Sequence, residues 1–201
     1  MTIRYAMGLA CAAALAACSS TPIRYYTLVP RELATANPLP SPPPWIEVVS
    51  VTVPPEVDVP QIVTRSGDTA IVLHDSDRWG APLSDEIRAA LDDALLRQYG
   101  ARDLPPGGAA DSVRIRIGVR VERFDGVIGQ YADLVVDWWA VPQGAGRARP
   151  LSCQALIHKN AGPGLEGLIR ADQRAIQELA KAIVEEVQAS AAGMVPAACH
   201  P

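Results

Sequence analysis

The alternation of apolar and polar residues predicts strands along much of the chain. The clearest case is the stretch 113–122, where every second residue is apolar and most of the others are charged. Because successive side chains of a strand point to opposite faces, this stretch is expected to bury one face and expose the other. Runs rich in β-branched residues predict further strands at residues 46–53, 61–65, 70–73, 131–141 and 151–157, with a short strand at 25–28.

Two other stretches carry apolar residues at the spacing of a helix. Between residues 82 and 99, leucine or isoleucine recurs every four residues, Pro82 suits the first helical position and Gly100 suits the end. A second apolar stripe predicts a helix over residues 165–189. After the short strand, the predicted order is β-β-β-α-β-β-β-α, which indicates an α/β fold with a mixed sheet covered by helices.

Short polar segments between these elements predict turns. Ser-Gly-Asp at residues 66–68 has the composition of a hairpin turn, and Asp-Gly at 125–126 is expected to open the turn before the strand at 131–141. The segment His74–Asp77 is expected to form a polar loop. We do not expect it to bind a metal, because the residue two positions after the histidine is a serine, a poor partner ligand.

The first twenty residues have the layout of an export signal. One positive charge at Arg4 precedes an apolar stretch at residues 5–15, which is too short to span a membrane. The ending Leu-Ala-Ala-Cys at 15–18 resembles a bacterial lipobox, and this resemblance implies cleavage before Cys18 and acylation of its thiol and amine. The alternative is an ordinary signal cut after a small-residue site. Cys11 is a weaker acceptor because it would leave a shorter apolar stretch.

The signal divides the chain into four parts. Residues 1–17 are expected to be removed, residues 18–44 to form a lipid-anchored, proline-rich tether, residues 45–191 to fold, and residues 192–201 to form a tail. Several acyl chains hold a protein on a membrane far more firmly than one. In lipoproteins generally an aspartate after the lipidated cysteine retains the protein at the inner membrane. Ser19 therefore implies the periplasmic face of the outer membrane, with inner-membrane retention as the alternative.

Composition narrows the classes of function. Eighteen basic and 22 acidic residues give a formal net charge of −4, which leaves no basic field for nucleic acid. The three arginines on the strand at 113–122 are more simply explained as a solvated face than as a functional basic stripe. Cys153 and Cys199, 46 residues apart, either form a disulfide in an oxidising periplasm or remain two separate thiols.

The sequence offers little from which to build an active site. It has three histidines and lacks the G-x-S-x-G, Walker A and G-x-G-x-x-G motifs, so we expect no cofactor, no metal and no catalysis. The adjacent Trp138 and Trp139 must face opposite sides of a strand. One ring is expected in the core, and the other either under a helix or at a lipid or partner contact.

Three segments together resemble a known family. These are Tyr-Tyr-Thr-Leu at residues 25–28, Pro-Pro-Glu-Val-Asp-Val-Pro-Gln-Ile-Val-Thr-Arg at 54–65, and Arg-Trp-Gly-Ala-Pro-Leu at 78–83. They resemble segments of the ABC-type transport auxiliary lipoproteins. The second segment ends in a sequence similar to the family's PQIVTR, and the third is similar to its RWAEPL. Gly80 stands where the family often has alanine, and residues 57–59 also depart from the usual run.

The resemblance implies a three-layer α/β domain with a mixed β-sheet flanked by helices, similar to the TolB N-terminal domain. It also implies a periplasmic lipoprotein that works with an MCE-domain protein, an ABC permease and its ATPase. Such systems move lipids or other hydrophobic compounds between the inner and outer membranes, and family members can form homo-oligomeric rings. The alternatives are a structural lipoprotein of the envelope and an enzyme displayed on the envelope.

The same segments supply the candidate partner surface. The helix at 82–99 and the segments carrying Arg65, Asp77, Arg78 and Trp79 are expected to face a partner. The alternative is that Arg65, Asp77 and Arg78 form internal salt bridges that hold these segments in place.

Overall fold

Eight strands and two helices make up the part of the chain that the structure describes. The computed structural model describes residues 21–31, 45–100, 114–143, 149–194 and 199–200. The elements are β1 (Arg24–Tyr26), β2 (Trp45–Thr52), β3 (Gln61–Ser66), β4 (Ala70–Trp79), α1 (Leu83–Tyr99), β5 (Arg114–Val127), β6 (Tyr131–Gln143), β7 (Leu151–Asn160), α2 (Gly164–Ala191) and β8 (Cys199–His200). The predicted order of strands and helices is confirmed, with β8 as an addition.

Five strands form the larger sheet in the order β2-β5-β6-β7-β8. β2 runs parallel to β5, and the other neighbours are antiparallel. α1 and α2 pack against each other and cover the inner face of this sheet. The core between sheet and helices is apolar and includes Leu91, Ile117, Val136, Trp138 and Leu179. The α/β class with a mixed sheet, predicted from the sequence, is therefore confirmed.

The opposite face of the larger sheet is polar. Arg114 and Arg116 flank Glu47, with nitrogen–oxygen distances of 3.9 and 3.7 Å, and Arg120 lies 2.9 Å from Glu122. Charged side chains of this kind favour contact with water, and no helix in the described ranges covers them. The larger sheet therefore carries both described helices on one face.

The two adjacent tryptophans of β6 separate as strand geometry requires. Trp138 is buried in the core, and Trp139 lies on the outer face with 39% of its surface exposed. A Cβ atom at Gly118 of β5 would lie 2.2 Å from the Trp139 ring. The indole therefore occupies the space that a side chain at position 118 would need, and it packs on the sheet rather than under a helix.

β5 is longer than the alternation of residues predicted. It continues to Val127, and the turn to β6 lies at residues 128–130, so the predicted turn at 125–126 is wrong. The pairing register shifts after Val121, as in a β-bulge. Because the bulge interrupts the two-residue period, Phe124 points to the buried side. The alternation of apolar and polar residues therefore does not predict the second half of the strand.

The smaller sheet has three strands in the order β1-β4-β3. β3 and β4 form a hairpin around residues 67–69, which confirms the predicted turn. The predicted polar loop at residues 74–77 is wrong, because this segment belongs to β4. It stays extended because β1 pairs with the end of β4 and because its polar side chains have partners, such as the Thr64 hydroxyl 2.9 Å from His74 Nε2.

The folded unit begins earlier than composition suggests. β1 pairs in parallel with the last three residues of β4, and Leu28, just after β1, has no exposed surface. Residues 24–28 therefore belong to the domain, although composition places them in the tether that extends to residue 44. The proline-rich residues 38–44 and Cys18 lie outside the described residues.

A disulfide joins Cys153 of β7 to Cys199 of β8, 46 residues later in the chain. β8 extends the larger sheet by pairing with β7. Both half-cystines are buried, so the bond ties the end of the chain to the core.

Removing this disulfide is expected to destabilise the domain. A cross-link over a loop of this length lowers the entropy of the unfolded chain and contributes about 4 kcal/mol in the chain-entropy model. We expect the Cys153→Ala/Cys199→Ala variant to lose roughly 2–4 kcal/mol of unfolding free energy in urea. Dithiothreitol provides the control. We expect it to lower the unfolding free energy of the wild-type protein and to leave that of the variant unchanged. Equal effects on both proteins would show that the bond does not stabilise the fold.

Candidate functional site

Residues 24–28, which we call the anchor segment, are bound to the domain in part by one buried carboxylate. Glu86, in the first turn of α1, accepts hydrogen bonds from Thr27 Oγ1 at 2.7 Å and from Leu28 N at 2.9 Å. The positive end of the helix dipole favours a negative charge at this position. Because Leu28 is fully buried, its amide has no water to bind, and the carboxylate replaces that water.

Two further hydrogen bonds reach the same segment from other elements. Gly80 N donates to Tyr26 O at 2.8 Å, and Gln173 Nε2 of α2 donates to Thr27 O at 3.1 Å. A Cβ atom at Gly80 would lie 3.1 Å from Glu86 Oε1, so glycine leaves room for the carboxylate here. The segment is thus fixed by β4 and by both helices, which determines the direction in which the preceding residues leave the domain.

An ion pair fixes the start of β1. Arg24 Nε and Nη2 donate to the two carboxylate oxygens of Asp77 at 2.7 and 3.1 Å. These hydrogen bonds are the main reason that the pKa of Asp77 is lowered, and a hydrogen bond with Tyr26 adds to the effect. Burial, and then the nearby charge of Asp77, raises the pKa of Tyr26. β1 is therefore held by side chains as well as by its backbone pairing with β4.

The residues expected at a partner surface do not lie on one exposed surface. Trp79 is buried and meets Phe124 edge to face, with ring centroids 6.2 Å apart. Arg65 Nε donates to Asp125 Oδ2 at 2.5 Å, and this contact raises the pKa of Arg65. Asp77 is also in an ion pair. The alternative of internal salt bridges holds for Arg65 and Asp77, although their partners, Asp125 and Arg24, lie on other strands and not within the set.

Arg78 lies at the centre of the smaller sheet. It is opposite Tyr25 of β1 on one side and Gln61 of β3 on the other. Its Nε atom is buried and has no hydrogen-bond partner within the described part of the chain. Arg78 therefore belongs to the junction between strands, with its backbone paired on both sides.

Three charged residues with structural roles, Glu86, Asp172 and Arg24, are absent from the site expected from the sequence. For Glu86 a signal exists, because it lies on the apolar stripe between the buried Leu83 and Ala90. Asp172 lies on the stripe of α2 in the same way, and burial raises its pKa well above the usual range. Arg24 has no such signal, since its partner is 53 residues away.

Two grooves open on the surface of the domain. One of about 320 Å³ lies between β2 and α1 and is lined by residues that include Trp45, Glu47, Arg88 and Arg114. The other, of about 250 Å³, lies beside the ion pair of β3 and β5. Both are lined by charges of both signs, which suit polar contacts.

Two histidine side chains are described, and both make local contacts. His74 bonds the hydroxyl of Thr64, which is largely buried beside the groove of about 250 Å³. His158 Nδ1 lies 2.6 Å from Asp133 Oδ1, and its ring stacks on Tyr131. Within the described ranges, no three His, Cys, Asp or Glu side chains gather as metal ligands. Neither helix there is long and apolar enough to cross a membrane.

Removing the Glu86 carboxylate is expected to release the anchor segment. Glu86→Ala leaves the buried Leu28 amide without an acceptor, which costs about 1–3 kcal/mol of unfolding free energy. Hydrogen exchange is expected to show faster exchange at residues 26–28 than in the rest of the sheet. The matched control is Asp85→Ala, which removes an exposed carboxylate from the same turn. Similar exchange in both variants would rule out this role for Glu86.

The ion pair at the start of β1 predicts a pH-dependent stability. An aspartate with a lowered pKa adds stability above its unfolded pKa of about 4, and this stability is lost as the pH falls through the folded pKa. The difference in unfolding free energy between the wild type and Asp77→Asn is therefore largest above about pH 5 and disappears in acid. Urea titrations from pH 7 to pH 2 measure it. Asp75→Asn, on the exposed part of β4, is the control.

Comparisons with known proteins agree with this architecture. A family model described as "ABC-type transport auxiliary lipoprotein component" matches residues 26–184. The crystal structure of an uncharacterized protein is similar with a TM-score of 0.59 and 18% identity, over 83% of this chain and 99% of that one. A crystal structure from Xanthomonas campestris, of the family DUF330, has a TM-score of 0.56 and 13% identity, over 85% and 98% of the two chains.

At these identities the two structures show the fold alone, and no curated protein significantly matches the chain. The family model is more specific. It begins at Tyr26, the last residue of β1, and ends in α2, so it covers residues 26–28 of the anchor segment, the strands β2 to β7 and α1. The chain therefore belongs to the ABC-type transport auxiliary lipoproteins.

Proposed function

We propose that the chain is the lipid-anchored, periplasmic accessory of an ABC-type system that moves lipids or other hydrophobic compounds between the inner and outer membranes. Family membership gives the coarser statement, a transport auxiliary lipoprotein. The observation that supports the finer one is the docking of residues 24–28 in the domain, a few residues after Cys18. A domain that includes its own anchor segment is held at a membrane surface instead of moving on a long tether.

The short stretch between Cys18 and β1 limits the distance between the domain and the membrane. In this proposal Cys18 carries the acyl chains, and β1 begins six residues later at Arg24. An extended chain advances at most about 3.5 Å per residue, so these six residues span about 20 Å. The smaller sheet therefore lies within about the length of one strand from the lipid headgroups.

An accessory of this kind needs partners, because the energy of ATP hydrolysis must come from another protein. The chain has no Walker A motif. We infer an MCE-domain protein as the direct partner, with an ABC permease and its ATPase in the same system. A homo-oligomeric ring of this chain would surround the end of the tunnel formed by the MCE-domain protein. Ser19 supports a location on the periplasmic face of the outer membrane.

Purification from membranes in a mild detergent tests this function. We expect the MCE-domain protein to copurify with the wild-type lipoprotein, together with the permease and ATPase. The Glu86→Ala variant keeps Cys18 but loosens the anchor segment, so we expect several-fold less copurification, with Asp85→Ala at the wild-type level. Recovery of the lipoprotein alone from wild-type membranes would refute the transport role and favour a structural or enzymatic one.

The location has its own test in the residue after the anchor. Density-gradient separation of the two membranes is expected to place the wild-type protein in the outer membrane. Ser19→Asp is expected to move most of it to the inner membrane, and Ser19→Ala to leave it in place. Cys18→Ala removes the residue that carries the acyl chains, so this variant is expected in neither membrane fraction. A wild-type protein already in the inner-membrane fraction would contradict the proposed location.

A further inference from the structure

The start of β4, at the tip of the β3–β4 hairpin, is apolar on both of its faces. All residues from Ser66 to Leu73 are exposed, and β4 begins with four apolar residues in this region. Ile71, Val72 and Leu73 expose 49%, 41% and 45% of their surfaces. Since neighbouring side chains of a strand point to opposite faces, these three residues make both faces of β4 apolar here. The turn at residues 66–69 is polar, and Arg65 and Thr64 of β3 lie opposite Ile71 and Val72.

The residues that precede the anchor segment leave the domain toward this tip. β1 and β4 are parallel, with Arg24 opposite Asp77 and Tyr26 opposite Trp79. Residues before Arg24 therefore run back along β4 in the direction of its first residues. Thr21, Pro22 and Ile23 are exposed and continue this path away from the core.

The two paths have the same length. Cys18 is six residues before Arg24, and Ile71 is six residues before Asp77, the partner of Arg24. Each path spans about 20 Å when extended. Six extended residues are enough for an acylated Cys18 to reach the level of Ile71, so a bilayer that holds the acyl chains lies within reach of the tip.

We propose that residues 70–73, the hairpin tip, insert into the bilayer leaflet that holds the acyl chains of Cys18. This inference rests on the proposed lipid anchor, and it adds a second membrane contact that fixes the orientation of the domain. Between Ser66 and Asp75 there is no Lys or Arg, and Asp68 and Asp75 are acidic. Arg65 lies opposite Ile71, but its guanidinium is paired with Asp125. The contact is therefore apolar and does not depend on anionic headgroups.

A weak insertion is sufficient because the anchor keeps the tip beside the bilayer. The covalent link turns insertion into an intramolecular step with a high effective concentration of lipid. About half of each apolar side chain remains to be buried, so each of the three is expected to shift the insertion equilibrium by about five-fold. The acylated Cys18 and the hairpin tip are then two contacts with the membrane, each about one strand length from the core. With both contacts in place, the start of β4 points toward the membrane and the larger sheet faces the periplasm.

A single label on the mature lipidated protein tests the insertion. After acylation of Cys18, the other mature cysteines are joined in the disulfide, so Val72→Cys introduces the one free thiol. It is labelled with an environment-sensitive fluorophore, and the protein is reconstituted into phosphatidylcholine vesicles with or without spin-labelled acyl chains. The matched control is Leu156→Cys, which is 71% exposed on the outer face of the larger sheet.

We expect the label at position 72 to shift to the blue and to be quenched at least two-fold by the spin-labelled lipid. The label at position 156 is expected to show neither effect. Adding Ile71→Ser and Leu73→Ser to Val72→Cys is expected to weaken insertion about 25-fold and to remove most of the quenching. Quenching is expected to be equal in low and high salt, since no cation takes part.

The other outcomes separate the two proposals. If the protein sediments with vesicles while the label at 72 remains in water, the anchor stands and the insertion is overturned. A blue-shifted label that spin-labelled lipid does not quench also overturns it, because a second copy or a protein partner then covers the tip. If neither labelled protein sediments with vesicles, the lipid anchor fails, and the insertion that rests on it fails too.

Discussion

The way in which residues 24–28 join the domain depends on the carboxylate of Glu86. This group is buried at the start of α1 and accepts two hydrogen bonds from Thr27 and Leu28. A buried amide without an acceptor costs as much as a lost hydrogen bond, so the carboxylate allows Leu28 to enter the core. With Leu28 in place, Arg24 reaches Asp77 and β1 completes the smaller sheet.

The parts of the fold that follow from local periodicity could be predicted from the sequence. α1, α2 and the strands β2, β6 and β7 each carry their own pattern of apolar residues, and such patterns need no knowledge of neighbours. The failures have a common cause in pairing over long distances. The end of β4 looks like a polar loop because Asp77 finds its partner in Arg24, 53 residues away. β5 looks short because a bulge after Val121 changes the side to which Phe124 points.

The motif segments were expected at a partner surface, yet they build the junction between the two sheets. Trp79 fills the space against Phe124, Arg65 bonds the second half of β5, and Gly80 leaves room for Glu86. Residue type alone does not distinguish these roles, since arginine and tryptophan are common both at interfaces and in buried contacts between strands. The deciding quantity is burial, and burial depends on the tertiary fold. A family motif can therefore identify the fold without lying at the surface that meets the partner.

The two sheets divide the work of the domain. One apolar core joins the larger sheet and its helices to inner residues of the smaller sheet such as Ile62 and Trp79, and a disulfide lies at the edge of the larger sheet. The smaller sheet contains β1 and the β3–β4 hairpin with its exposed apolar residues. A flexible tether would let the domain take any orientation above the bilayer, so every encounter with a partner would carry an orientational cost. Docking the tether onto β4 removes most of that freedom in advance, and this is the form of preorganisation that a fixed accessory of a membrane transport system requires.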